Sequence, residues 1–158
     1  MYTRQKNRNS LSNSQLSIWV GQKMSEQSPL YNMANTFVIK GHILPDQFKK
    51  AFQILVEETE VMRTVFSEYE NGTPYQEVLN DYTYPLVYYD YSQLSEEEID
   101  EIILARAKQS FDLSQPPFDS VLIKADENKF VWLLNMHHLI TDVSTTQILF
   151  QRMGKVFL

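Results

Sequence analysis

The stretch Asn135-Met136-His137-His138-Leu139-Ile140-Thr141-Asp142-Val143-Ser144 holds the residues best suited to chemistry. Imidazole changes charge near neutral pH, so a histidine can take and return a proton during a reaction, and it is also a common metal ligand. Two adjacent histidines with an aspartate four residues later arise by chance in fewer than roughly one in a hundred chains of this size. Geometry argues against a shared metal ion. Neighbours on an extended strand point to opposite faces, so His137 and His138 do not face one ion while the strand continues. The remaining histidine, His42, stands alone in a turn, and the sequence has no Cys. No metal is therefore expected. His137 reads as a buried, hydrogen-bonded residue, and Asp142 as an anion just ahead of a helix that opens at Ser144, where the helix dipole favours negative charge. His138 is the candidate for function.

A strand must deliver these histidines and a helix must carry the chain away. The run Phe130 to Met136 is almost continuously apolar, which suits a central strand covered on both faces. Further β-branched and aromatic runs at Thr36 to Lys40, Thr64 to Tyr69, Tyr75 to Leu79, Leu86 to Tyr89 and Ser120 to Lys124 read as strands. Asn71-Gly72 marks a tight hairpin, and Asp126-Glu127-Asn128 marks another. Capping boxes at Ser12/Gln15, Ser95/Glu98 and Ser144/Gln147 open three helices. The first carries Leu16, Trp19, Val20, Lys23 and Met24 as its stripe, and the second Ile99, Ile102, Ile103 and Ala107. A fourth helix starts at Pro45 and lines up Phe48, Ala51, Phe52, Leu55 and Val56 on one face. Without strict strand–helix alternation, the pattern predicts an α/β fold, a two-layer sandwich with helices on a mixed sheet.

The chain has 158 residues, with 14 Lys+Arg against 20 Asp+Glu and a net charge of −6, which argues against a nucleic-acid partner. One domain is expected over 1–158, with 1–10 a disordered tail. No run reaches the length of a membrane span, so no membrane partner is expected, and the absence of Cys fits a reducing, cytoplasmic setting.

Three segments together carry a resemblance. Met136-His137-His138-x-x-x-Asp142 resembles the His-His-x-x-x-Asp-Gly signature of nonribosomal peptide synthetase condensation domains, which belong with the chloramphenicol acetyltransferase-like acyltransferases. Leu11-Ser12-Asn13-Ser14-Gln15-Leu16-Ser17-Ile18-Trp19 resembles their opening Ser-x-x-Gln-x-x-x-Trp motif. Glu60-Val61-Met62-Arg63-Thr64-Val65-Phe66 resembles their Glu-x-Leu-Arg-Thr-x-Phe motif. The resemblance implies the amino-terminal lobe of a two-lobed fold. It implies amide formation between a donor thioester and an acceptor amine, delivered on the 4′-phosphopantetheine arms of carrier proteins with no bound cofactor. It makes His138 the base or the residue that positions the amine, with His137 structural. Asp142 is then a structural anion paired with arginine, Arg63 being the candidate and Arg152 the less suitable choice. The implied partners are carrier proteins and the remaining lobe and modules of a synthetase; the lobe alone is expected to be inactive and to self-associate. An ester-forming relative and a non-catalytic carrier-docking module are the alternatives. Two positions depart from the pattern: Val143 replaces the motif's glycine, and Glu58-Thr59 stand where Arg-His is usual.

Overall fold

The computed structural model describes residues 8–157. In chain order the elements are β1 (Arg8–Ser10), α1 (Asn13–Met24), β2 (Asn32–Lys40), α2 (Pro45–Glu58), a 3-10 turn (Glu60–Arg63), β3 (Thr64–Glu68), β4 (Pro74–Val78), β5 (Val87–Asp90), α3 (Glu96–Ala107), β6 (Phe118–Asp126), β7 (Lys129–His137) and α4 (Val143–Phe157). They form a mixed four-stranded sheet, order β2-β7-β6-β5, and a smaller three-stranded sheet, order β1-β4-β3.

An apolar run as continuous as that of β7 is stable only when water is kept from both of its faces. It pairs antiparallel with β2 and β6, while β5 joins β6 in parallel through α3. On one face Phe130, Trp132, Leu134 and Met136 pack beneath α2 and α4 in the main core; on the other, Val131 and Leu133 meet Ile99 of α3. This second helix layer adds to the two-layer sandwich that the pattern predicts. Trp132 is the hub of the main core, edge-on to Phe48 and Phe52. Its buried N–H needs an acceptor, and Ser120 Oγ supplies one at 2.9 Å.

Both capping boxes at Ser12 and Ser95 are formed, and α2 starts at Pro45 with the five expected residues buried. The Asn71-Gly72 turn closes the β3–β4 hairpin with Gly72 at φ +80°, a conformation from which a Cβ is largely excluded.

Three expectations need correction. Arg8–Ser10, expected in a disordered tail, forms β1 and pairs with Glu77, Gln76 and Tyr75 of β4; residues 1–7 of that tail lie outside the described residues. Of the expected α1 stripe Leu16, Trp19, Val20, Lys23 and Met24, Trp19 is buried as expected, but Leu16, Val20 and Met24 point outward at 41%, 51% and 82% exposure, and Gln22 is buried beside Trp19 instead. Helix α4 opens at Val143, not at Ser144. Its first free amides are taken by Asp142, two residues earlier than the Ser144 box would place the cap.

Candidate active site

β7 ends at His137, and the chain then bends, with the Ile140 N–H donating to the His137 carbonyl at 3.0 Å. The bend turns the next imidazole into solvent. His138 is exposed, its backbone N–H is tied to the Tyr31 carbonyl at 2.8 Å, and its Nδ1 lies 2.6 Å from the Thr141 carbonyl. A carbonyl only accepts, so Nδ1 holds the proton in neutral His138 and Nε2 presents a lone pair. That is the arrangement of a base whose second nitrogen has been oriented for it.

His137 has the opposite surroundings. It is 1% exposed, with Nε2 at 3.1 Å from Gln22 Oε1 and Nδ1 accepting the Leu139 N–H at 3.1 Å. Burial, and secondarily the neighbouring His138, lowers its pKa to about 4. The two adjacent histidines thus divide, one neutral and fixed in the interior, one carried out to solvent.

The expected pairing of Asp142 with Arg63 is not formed. Asp142 is exposed and caps α4, its Oδ1 accepting from the Thr145 N–H at 2.7 Å and the Thr145 hydroxyl at 2.8 Å, and these bonds hold its carboxyl below the usual carboxylate range. Arg63 donates instead to the carbonyls of Val56, at 3.2 Å, and Leu79, so it locks the end of α2 onto the strand exit of β4. Arg152 stands exposed on α4. A cap satisfies an aspartate locally, so no distant cation is required.

The three motif segments nevertheless converge. Trp19 of the first packs against Phe66 of the second, with centroids 6.4 Å apart. Gln15 closes the Ser12 box through its Oε1 and donates through Nε2 to the carbonyl of Leu139, in the histidine loop, at 3.0 Å. Two contacts of the site were not read from the sequence: Gln22 against His137, and the Tyr31 carbonyl against His138. The signal for Gln22 was its place three residues after Trp19, on the same face of α1.

Val143, in place of the motif's glycine, is the first residue of α4 and 66% exposed, and no non-glycine residue among those described has a positive φ. The turn therefore accepts a β-branched residue without strain. Its side chain lines a groove of about 500 Å³ between β2 and α4 with Met33, Asn35, Phe37, Thr146 and Phe150. Glu58 is exposed at the end of α2, where a reversed charge meets water. Among the described residues no three His, Cys, Asp or Glu side chains cluster as metal ligands.

A family model described as Condensation domain matches residues 5–158. The chain is 29% identical over 148 residues to a plipastatin synthase polypeptide of Bacillus subtilis (strain 168), covering 93% of this chain and 4% of that protein. It is 34% identical over 129 residues to gramicidin S synthase 2 of Aneurinibacillus migulanus, covering 80% and 3%. Its fold superposes on the starter condensation domain of the rhizomide synthetase with a TM-score of 0.88 at 24% identity, covering 95% of this chain and 38% of that one. The first condensation domain of the calcium-dependent antibiotic synthetase gives 0.89 at 19%, covering 96% and 39%. The chain thus spans well under half of each solved domain and a few per cent of each synthetase.

Proposed function

Because the chain belongs to the condensation-domain family, we propose that it is the amino-terminal, histidine-bearing lobe of an enzyme that forms amide bonds in nonribosomal peptide synthesis. The donor is an acyl thioester and the acceptor an amine, each on the 4′-phosphopantetheine arm of a carrier protein, and the carriers and the remaining lobe are its partners. The observation that carries the reading is the exposed Nε2 of His138, left as a lone pair by the Nδ1 bond to Thr141.

The acceptor amine, with a pKa of about 7.7–8.0, is mostly protonated near neutral pH and attacks only as the free base. Its nitrogen adds to the thioester carbonyl, a C–N bond forms, and the nitrogen's proton passes to Nε2. The C–S bond then breaks, and the same proton returns to the departing sulfur. Proton transfer from a fixed base is worth about 10²–10⁴ in rate. His137 and Asp142 serve this chemistry as framework, one by hydrogen-bonding the loop from inside, the other by starting α4. The unstrained Val143 removes the backbone argument for a non-catalytic docking module.

In a polypeptide that carries this chain with the rest of a condensation domain, His138→Ala should lower amide formation from loaded carriers by at least about a hundredfold with folding unchanged. A variant that keeps more than half of the turnover removes His138 from the mechanism. Offering an alcohol acceptor beside the amine distinguishes the ester-forming alternative.

A further inference from the structure

Gln22 is 6% exposed on α1 and reaches two different partners with the two ends of its amide. Nε2 faces the carbonyls of Ser25, Glu26 and Ser28 at 3.1, 3.0 and 3.3 Å. Carbonyls only accept, so the amide sits there in a single orientation, NH2 toward the end of α1 and Oε1 toward His137. Oε1 also only accepts. The Nε2 of His137, 3.1 Å away, must therefore carry the proton, which leaves Nδ1 as the acceptor that the Leu139 N–H meets. A chain of forced donor and acceptor assignments runs from the carbonyls closing α1 to the residue that follows His138.

We infer that Gln22 is a positioning residue of the site: it keeps the proton of His137 on Nε2 and thereby holds the bend that presents His138. Tyr31, ahead of β2, and Phe111, ahead of β6, lie against the His137 ring with centroids 5.9 and 6.4 Å away, and the neighbouring His138 acts on it electrostatically; Tyr31 and His138 are the ionisable side chains among these. None of these offers His137 a carboxylate, so a neutral amide oxygen is the strongest acceptor it meets. The inference deepens the reading of His138 as the base and rests on it for its functional meaning. Its test reads imidazole nitrogens instead of turnover, so its failure leaves that reading standing.

Two-bond proton–nitrogen correlation spectra of the chain with labelled histidine, taken from about pH 8 to 5, give the tautomer and charge of each ring. In the unsubstituted chain His137 should be the neutral Nε2–H form throughout, and His138 the Nδ1–H form at the upper end. Gln22→Glu replaces the amide by a group that cannot donate to the three carbonyls and that favours an imidazolium. His137 should then bind its proton at least tenfold more tightly. Once protonated, Nδ1 no longer accepts, so the Leu139 amide and His138 ring signals should move along the same titration curve. A merely structural role would move them equally at every pH. The inference is overturned if His137 in the unsubstituted chain is the Nδ1–H form or charged near pH 7, a result that stands even if the variant does not fold. It is equally overturned if His137 of the variant stays neutral at pH 5, or titrates while the Leu139 and His138 signals stay still.

Discussion

A buried imidazole that is neutral by construction ties folding to pH. The pKa of His137 falls from an ordinary 6.5 to about 4, so as pH drops the unfolded chain takes its proton first. The stability contributed by keeping the ring neutral is therefore complete above about 6.5 and lost as pH falls toward 4. Integrated to pH 5, the loss is about 2 kcal/mol. Urea unfolding near pH 7 and pH 5 should show it, and His137→Gln should be less stable at pH 7 yet lack this part of the pH dependence; an equal slope in both proteins would place the titration elsewhere. The separation of Asp142 from Arg63 gives a second prediction. Asp142→Ala should cost about 1 kcal/mol as a lost helix cap, and Arg63→Ala about 1–3 kcal/mol by stranding carbonyls it now bonds. Because the two share no partner, the double variant should equal the sum within about 0.5 kcal/mol, and a larger coupling in the cycle would show that they touch.

At the scale of elements, the site depends on how α1 lies against the segment that enters β2. Gly21 is where the helix is crossed: a Cβ there would stand 2.0 Å from the Tyr31 hydroxyl and 3.0 Å from the ring carbon bearing it. Alanine at a helix interior usually gains about 1 kcal/mol over glycine. Here the sign should reverse, with Gly21→Ala destabilising by about 1–3 kcal/mol because the Tyr31 ring must move. Tyr31 also holds the His138 N–H through its carbonyl, so the same substitution should disturb the His138 resonances. Removing the hydroxyl with Tyr31→Phe in the alanine background should recover part of the loss. If Gly21→Ala instead raises the melting temperature, the close crossing is not there. The core beside it was far more legible, since Phe48, Ala51, Phe52, Leu55 and Val56 of α2 share one face and all five are buried.

For the whole molecule, α4 leaves apolar side chains in water: Val143 at 66%, Ile148 at 52% and Phe150 at 44% exposure. Groups of this kind usually meet a partner. The chain nevertheless has a connected core built on Trp132 and satisfied helix starts, so in isolation it should unfold cooperatively on heating. It should also show a mass that rises with concentration and form no amide from loaded carriers, because one wall cannot hold two tethered reactants in register. Light scattering beside a carrier-loading assay tests all of this, and turnover by a monomeric chain would overturn the view that a second lobe completes the site.

Alternation, turn residues, capping boxes and the apolar face of α2 act over windows of about fifteen residues or fewer. The sequence determined by itself what such windows hold: six strand positions, the starts of α1, α2 and α3, the two hairpin turns, and a histidine pair at the end of a buried strand. It also held the three motif segments that name the family. Tertiary structure alone decided which side of α1 turns inward, since Trp19 belongs as well to a stripe with Leu16, Val20 and Met24 as to the side it shares with Gln22, and the second is the one buried. It decided too whether Asp142 or Ser144 caps α4, a choice set by where the chain leaves its bend after His137. The contacts that make the site, Gln22 with His137 across 115 positions and Gln15 with Leu139 across 124, join groups whose spacing carries no periodic signal. Such pairs are fixed by how the elements pack, because a buried donor or acceptor takes whichever partner the packing brings within reach.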